Sequence, residues 1–460
     1  MHGSGSRKYE IEILRFNDWN KGEYGYISPY YFKHYLMKKL NLIICLLVTT
    51  IISAQDIYIQ CGSIYDTNSG KLIQDKTIVV FENKIKSIEN GFVFGTDTDW
   101  IINLKDKIVL PGLIDMHVHI EGEYNAESYI KEFTANEADI ALESTVYAKR
   151  TLMAGFTTVR DLGGTGVNIA LRNAINGGLV DGPRIFTAGK ALATTGGHAD
   201  PTNGRRNDLM GDPGPKDGVV NSIPDGKKAV RQRYKNGADV IKITATGGVL
   251  SVAKSGQNPQ FTLEEIKAIT ETAKNYGFTV AAHAHGDEGM KIAVMGGVNT
   301  IEHGTLMSEE TMDLMIKSQC YLIPTISAGK QVAEKALIPG FFPEIVAKKA
   351  LEIGPKHIAT MAKAYKKGVP MGFGTDAGVF PHGKNAIEFG YLLEAGIPVK
   401  QSLKQATIIN AGLLGMQEKL GEIKQGYIAD IIAVEENPDQ NVKTLENVIF
   451  VMKDGVVYKQ

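Results

Sequence analysis

Three cysteines in 460 residues, at positions 45, 61 and 320, are too few and too scattered for a disulfide framework or a thiolate metal site. Any metal bound here must use histidine and oxygen ligands. Neither sign of charge is in excess, since 50 Lys+Arg face 51 Asp+Glu for a formal net charge of -1. That balance leaves no electrostatic footprint for a polyanion, so the chain is not expected to bind nucleic acid, and a small neutral or zwitterionic ligand fits better. Proline is scarce at 16 residues while glycine reaches 50, a composition of many tight turns between regular elements, not of a disordered chain. No glycine-rich dinucleotide fingerprint and no Gly-x-Ser-x-Gly elbow occur, and neither Cys61 nor Cys320 falls on a chemically loaded motif. Nucleophilic catalysis therefore has no candidate.

Residues 37–54 read MKKLNLIICLLVTTIISA: a methionine, a lysine pair, an apolar run over 40–52, then small residues. This is the three-part pattern of a secretory signal peptide with cleavage expected after Ala54; a short buried helix or an anchor is the alternative. The run falls short of the roughly 20 apolar residues a spanning helix needs, so no stable membrane insertion is expected after cleavage. Residues 1–36 are polar and tyrosine-rich and precede the methionine at which an export signal begins, which points to an over-extended, non-native or disordered start. The protein is expected to be exported, periplasmic or secreted, with Cys61 and Cys320 free.

From Asp56 to Val109 short β-like runs such as DIYIQCGSIYD and KTIVVFENKIKSIE alternate with turn residues, and GEIKQGYIADIIAV and NVIFVMKDGVVYK repeat that texture at the other end. Residues 55–110 and 421–460 are thus expected to build one small β-sandwich domain from both chain ends. Between them, over 111–420, eight apolar runs each precede a helix-compatible stretch: LIDMHVHI, FTTVRDL, RIFTAG, VIKITATGG, TVAAHAHG, TIEHGT, YLIPTIS and PMGFGTDAG. Eight such units predict an α/β fold, a (β/α)8 TIM-like barrel, with an open doubly wound sheet as the alternative. The segment from Asp200 to Lys228, rich in Gly, Pro and Asp, reads as a lid-like excursion before the fourth strand.

A barrel of this kind carries its chemistry at the C-terminal ends of its strands. The first strand ends His117-Val118-His119, a period-two pair that points to one side; the fifth ends with His283 and His285, the sixth with His303 and the eighth with Asp376. A lone strand histidine is more often a hydrogen-bonded core residue than a ligand. Taken together, neutral imidazoles and a carboxylate converging on one cavity leave lone pairs that a cation satisfies. Lys242 stands in the apolar fourth run, flanked by Val240, Ile241 and Ile243. A buried amine that sheds its proton reacts with carbon dioxide to a carbamate, an anion with two oxygens able to bridge two cations.

The strings PGLIDMHVH, AGFTTVRDLGG, IKITATGG, VAAHAHG, IEHGT, GFGTDAG and GEIKQGYIADIIAV resemble the metal-dependent amidohydrolase superfamily, and within it the imidazolonepropionase-related, Xaa-Pro dipeptidase-like branch. The resemblance implies two divalent ions, usually zinc. His117 and His119 would hold the more buried one, completed by Asp376, His283 and His303 the more exposed one, and carboxylated Lys242 would bridge them. It also implies substrate contacts at His285 and at His198 in the loop TTGGHAD, and a homo-oligomer. Two ions sharing a solvent molecule would make hydroxide available near neutral pH, and Asp376 would take its proton and pass it to the leaving nitrogen as general base and acid. Arg160, which closes the second strand with Asp161, is a further candidate for a substrate carboxylate, and His382 in FPHGKN for the pocket wall. The expected activity is binuclear hydrolysis of an amide in Xaa-Pro or other dipeptides or N-acyl amino acids. A cyclic-amide hydrolase or a deaminase is the enzymatic alternative, and a non-enzymatic scaffold is disfavoured because every ligand position is filled.

Overall fold

Alternation of apolar and polar residues at both chain ends resolves into one mixed sheet. The computed structural model describes Met37 and residues 55–96 and 99–460, without the side chain of Asn207. The expected extension at 1–36 and signal peptide at 37–54 lie outside the described residues, Met37 excepted. Strands β1 (Ile57–Asp66), β2 (Lys71–Phe81), β3 (Lys84–Asn90) and β4 (Trp100–Pro111) join β12 (Ile431–Val434), β13 (Phe450–Lys453) and β14 (Val456–Lys459) in the order β14-β13-β12-β4-β1-β2-β3. The ends thus meet in one hydrogen-bonded seven-stranded sheet. Its period-two faces separate cleanly. Ile431 and Ala433 join Ile59, Ile78 and Phe450 in a small core, while Ile432, Val434 and Val451 turn to the large core of the rest of the chain.

The remaining strands are parallel and buried on both faces, which is why they read as near-continuous apolar runs. β5 (Leu113–Val118), β6 (Phe156–Asp161) and β7 (Arg184–Thr187) form a three-stranded sheet; β8 (Ile241–Thr244), β9 (Val280–Ala284), β10 (Thr300–His303) and β11 (Tyr321–Ile323) form a four-stranded one. Seven of the eight expected runs are therefore strands. The eighth, PMGFGTDAG, is irregular yet bonded on both sides: Leu322 N donates to Pro370 O and Gly372 N to Leu322 O on one side, and Met116 N to Phe373 O and Asp376 N to His117 O on the other. Glycine is required there, since a Cβ at Gly374 would lie 2.4 Å from Ile323 Cγ2. Across the other gap, Leu192 N donates to Lys242 O and Thr244 N to Leu192 O.

Connecting helices carry their own boundary signals. Ser222 caps the helix Ile223–Asn236 by accepting from Asp225 N, Pro224 occupies its first turn, and Gly237 ends it at φ 86°. That cap corrects the expected lid-like excursion to Lys228, which ends instead at Asn221. Thr262 and Glu265 form a capping box at the helix Leu263–Asn275.

Candidate active site

The strand ends of β5, β8, β9 and β10 and the eighth segment open into one cavity of about 810 Å³, lined by His117, His119, Lys242, His283, His303 and Asp376 among others. Each imidazole is oriented from behind. His117 Nδ1 donates to Glu302 Oε2 at 2.9 Å, and His119 Nδ1 to Gly163 O at 2.7 Å. His283 instead donates from Nε2, to Gly247 O at 3.0 Å. A carboxylate or carbonyl only accepts, so these bonds leave lone pairs on Nε2 of His117 and His119 and on Nδ1 of His283. Burial holds His119 down to about 4 and drives His117, His283 and His303 well below the ordinary histidine range, so all four are neutral, the form that binds cations.

The free atoms meet. His117 Nε2 and His119 Nε2 each lie 3.4 Å from Asp376 Oδ1, and both His117 Nε2 and that carboxylate oxygen are buried without a hydrogen-bond partner. Donor atoms of His117, His303 and Asp376 lie within 4.8 Å of one another, as do those of His283, His285 and His303. Two groups that share His303, one of them holding the orphaned atoms of His117 and Asp376, are the donor set a divalent cation satisfies, and the residues fit such ions. Lys242 is 4% exposed, and among the described residues its ammonium donates no hydrogen bond and makes no ion pair. Burial pushes its ammonium down and the Asp376 carboxyl up. His303 (φ 72°) and Asp376 (φ 62°) sit in the left-handed region, as does Thr325 (φ 57°), whose hydroxyl pairs with His303 Nδ1 at 2.7 Å. Such strain in non-glycine residues persists only where surrounding structure enforces it, and it clusters at functional sites.

Of the residues expected to meet substrate, two line the cavity and two do not. His285, its Nδ1 2.9 Å from Thr305 Oγ1, and His198, stacked on His283 at 4.3 Å between ring centroids, both face it. His198 Nδ1 is buried and unpartnered. Arg160 is corrected: at 2% exposure its guanidinium is consumed by Met116 O, Thr300 Oγ1 and Glu302 Oε1 behind His117. It cannot also bind a substrate carboxylate. Its neighbour Asp161 is likewise engaged, by Ile120 N, Asn168 and Thr187. His382 is corrected too, since it hydrogen-bonds His119 O and Gly122 O and stacks on Tyr147, outside the cavity lining. It braces the wall from outside. Glu302 and His357, whose Nε2 donates to His303 O at 2.9 Å, were missed. Their signal was a charged residue inside an apolar strand run and a histidine opening a helix, neither of which names its distant partner.

A model of the Amidohydrolase family matches residues 108–458. The chain belongs to the Amidohydrolase family. This amidohydrolase is 31% identical over 416 residues to the ochratoxinase of Aspergillus niger, covering 85% of this chain and 83% of that one. It is similar in structure to a Xaa-Pro dipeptidase with bound methionine in the active site, at 52% identity and TM-score 0.86, over 88% of this chain and 100% of that chain. A prolidase complexed with N-methylphosphonate-L-proline matches at 31% identity and TM-score 0.81, over 88% and 100% respectively. The amidohydrolase is accordingly a C–N bond hydrolase with a small-molecule substrate and a site suited to divalent metal. Among the described residues no helix is long and apolar enough to cross a membrane.

Proposed function

We propose that this amidohydrolase cleaves the amide bond of Xaa-Pro or other dipeptides, or of N-acyl amino acids, in a binuclear site. The observation that carries the reading is the pair of donor groups sharing His303, with Lys242 in the same cavity wall. His117, His119 and Asp376 would hold one divalent ion, His283 and His303 the other, zinc in both cases, with the Lys242 carbamate between them. Bound there, the ions would polarise the scissile carbonyl and lower the pKa of water at the site. The chain's own residues supply the rest. The Asp376 carboxylate, which lines the cavity, takes a proton from the attacking water and delivers it to the leaving nitrogen. His198 Nδ1 and His285 orient the substrate from the facing side. The buried tie of Arg160 and Glu302 keeps His117 in one tautomer. Lys242 speaks against a one-metal deaminase, which has no use for a bridging carbamate.

The same reading takes residues 111–420 as a closed (β/α)8 barrel, supported by the bonds that suspend segment 370–377 between β11 and β5, and takes 55–110 with 421–460 as the small β domain. It takes the chain as exported, on the pattern at 37–54 alone. A panel of dipeptides including Xaa-Pro, N-acyl amino acids and cyclic imides tests the function. Turnover of cyclic imides alone, or of none of the panel, contradicts it.

A further inference from the structure

The helix Glu344–Ile353 turns Val346, Ala350 and Ile353 inward, and Lys349 lies on the same face, three residues after Val346. Lys349 is 6% exposed and pairs with no carboxylate among the described residues. Its Nζ donates instead to Gly248 O at 2.8 Å, Ser251 O at 2.6 Å and Ala253 O at 2.9 Å. An ammonium has three protons, and this one spends all of them on the backbone of a single loop. A buried charge without a counter-ion is expensive, so the arrangement persists only because the loop carbonyls need donors that no ladder provides. The stem is packed as well, since a Cβ at Gly256 would lie 3.6 Å from Lys349 Cδ. Gln257 adds a second tie to the helix through Glu352 at 3.0 Å.

The loop held in this way has several neighbours in the site. Gly247 O accepts from His283, and Gly248 is pressed so close to His198 that a Cβ there would fall 2.2 Å from its ring. Val249 and Leu250 line the cavity and pack against a satellite cluster containing Val332, Phe342, Val346, Ala350 and Val379, separate from the large core. One face of the cavity is therefore apolar, and it is assembled from a loop and a helix that Lys349 joins. We propose that Lys349 is a positioning residue that sets substrate preference: by gathering the carbonyls of 248, 251 and 253 it holds Val249 and Leu250 as the wall of an apolar subsite, selecting substrates with a bulky apolar residue beside the scissile bond. The preference, though not the latch itself, rests on the amide-hydrolase reading above.

The test compares the zinc-loaded full chain with K349M, K349R and L250A, using Leu-Pro and Ala-Pro as probes. For K349M, KM for Leu-Pro is expected to rise about tenfold, with kcat held within about threefold and Ala-Pro changed little, because lost apolar contact acts on the larger side chain. K349R is expected to restore Leu-Pro, and L250A to reproduce the K349M pattern. Amide hydrogen exchange over 247–257 should rise in K349M but not in L250A, at unchanged metal content. Equal losses for both dipeptides, a fall in kcat alone, or unaltered exchange would overturn the proposal. Should K349M not fold, K349Q takes its place. If the wild type cleaves neither dipeptide, the Xaa-Pro preference fails while the wider amide-hydrolase reading is decided by the panel above, and Lys349 is then judged by the exchange data and by calorimetric affinity for the two dipeptides, where absence of a selective loss for Leu-Pro in K349M overturns it.

Discussion

In the seven-stranded sheet, side chains alternate between two apolar cores and polar groups find ordinary partners: Gln60 donates to Val93 O and Thr77 to Gly91 O. Around Asp376 the same degree of burial holds four histidines, a lysine and a carboxylate, with His117 Nε2, Asp376 Oδ1 and His198 Nδ1 left unpartnered. Burial is common to both regions; satisfaction is not. The contrast also runs through the site itself, where Arg160, Asp161 and His382 are as buried as the candidate ligands but have every strong bond made. Single orphaned atoms also occur elsewhere, at Thr157, Arg233 and Gln405; what sets the site apart is that several of them converge on one cavity.

The two regions differ most at Asp376. D376N, which keeps shape and removes the proton acceptor, is expected to lower kcat by about 10²–10⁴-fold with little change in fold by circular dichroism. A loss under tenfold would mean that Asp376 is not the proton carrier. One bond further out, E302Q weakens the orientation of His117 Nδ1, and metal affinity measured by competition with a chelator should fall about 10–100-fold. If affinity is unmoved, the buried tie of Arg160 and Glu302 serves the fold alone. In the sheet the expected effect is of another kind. I78A empties part of the small core and should cost about 2–5 kcal/mol in denaturant unfolding, while kcat of the folded enzyme stays unchanged. A matching loss of kcat would deny that the two regions are separable.

Acid gives the smallest and most graded contrast. Burial holds His119 at about 4 and His198 at about 3 against an ordinary 6.5, so between these values the unfolded chain binds more protons than the folded one. Stability then rises with pH over that window, and it is lost as pH falls from 6.5 towards 4. The small core contains no histidine. Hydrogen exchange on acidification should therefore accelerate first in β5, which His119 follows, and in β9, on whose His283 His198 stacks, and only later in β1–β4; simultaneous loss would contradict this.

Much of this was legible in the residues. Seven apolar runs became strands in the expected order, because a parallel strand buried on both faces has no polar alternation to blur it. The eighth run is irregular because its glycines allow an approach no regular strand permits, and the left-handed backbone of Asp376 cannot be read from an aspartate. His117, His119, Lys242, His283, His303 and Asp376 were named from position alone and converge in one cavity. Arg160 and His382 were misplaced because a residue at a strand end faces either the rim or its scaffold, and the distinction depends on partners such as Glu302 and Gly122 that lie far along the chain. Lys349 was invisible for the same reason: its partners are backbone carbonyls about a hundred residues away.

On the binuclear reading proposed above, the unpartnered atoms around Asp376 are reserved for two cations. Elemental analysis of the purified wild-type chain, beside K242A, tests it directly. The wild type should hold two divalent ions per chain and K242A fewer, with activity partly restored to K242A by short-chain carboxylic acids. One ion or none in the wild type, or an unaltered complement and turnover in K242A, would contradict the account.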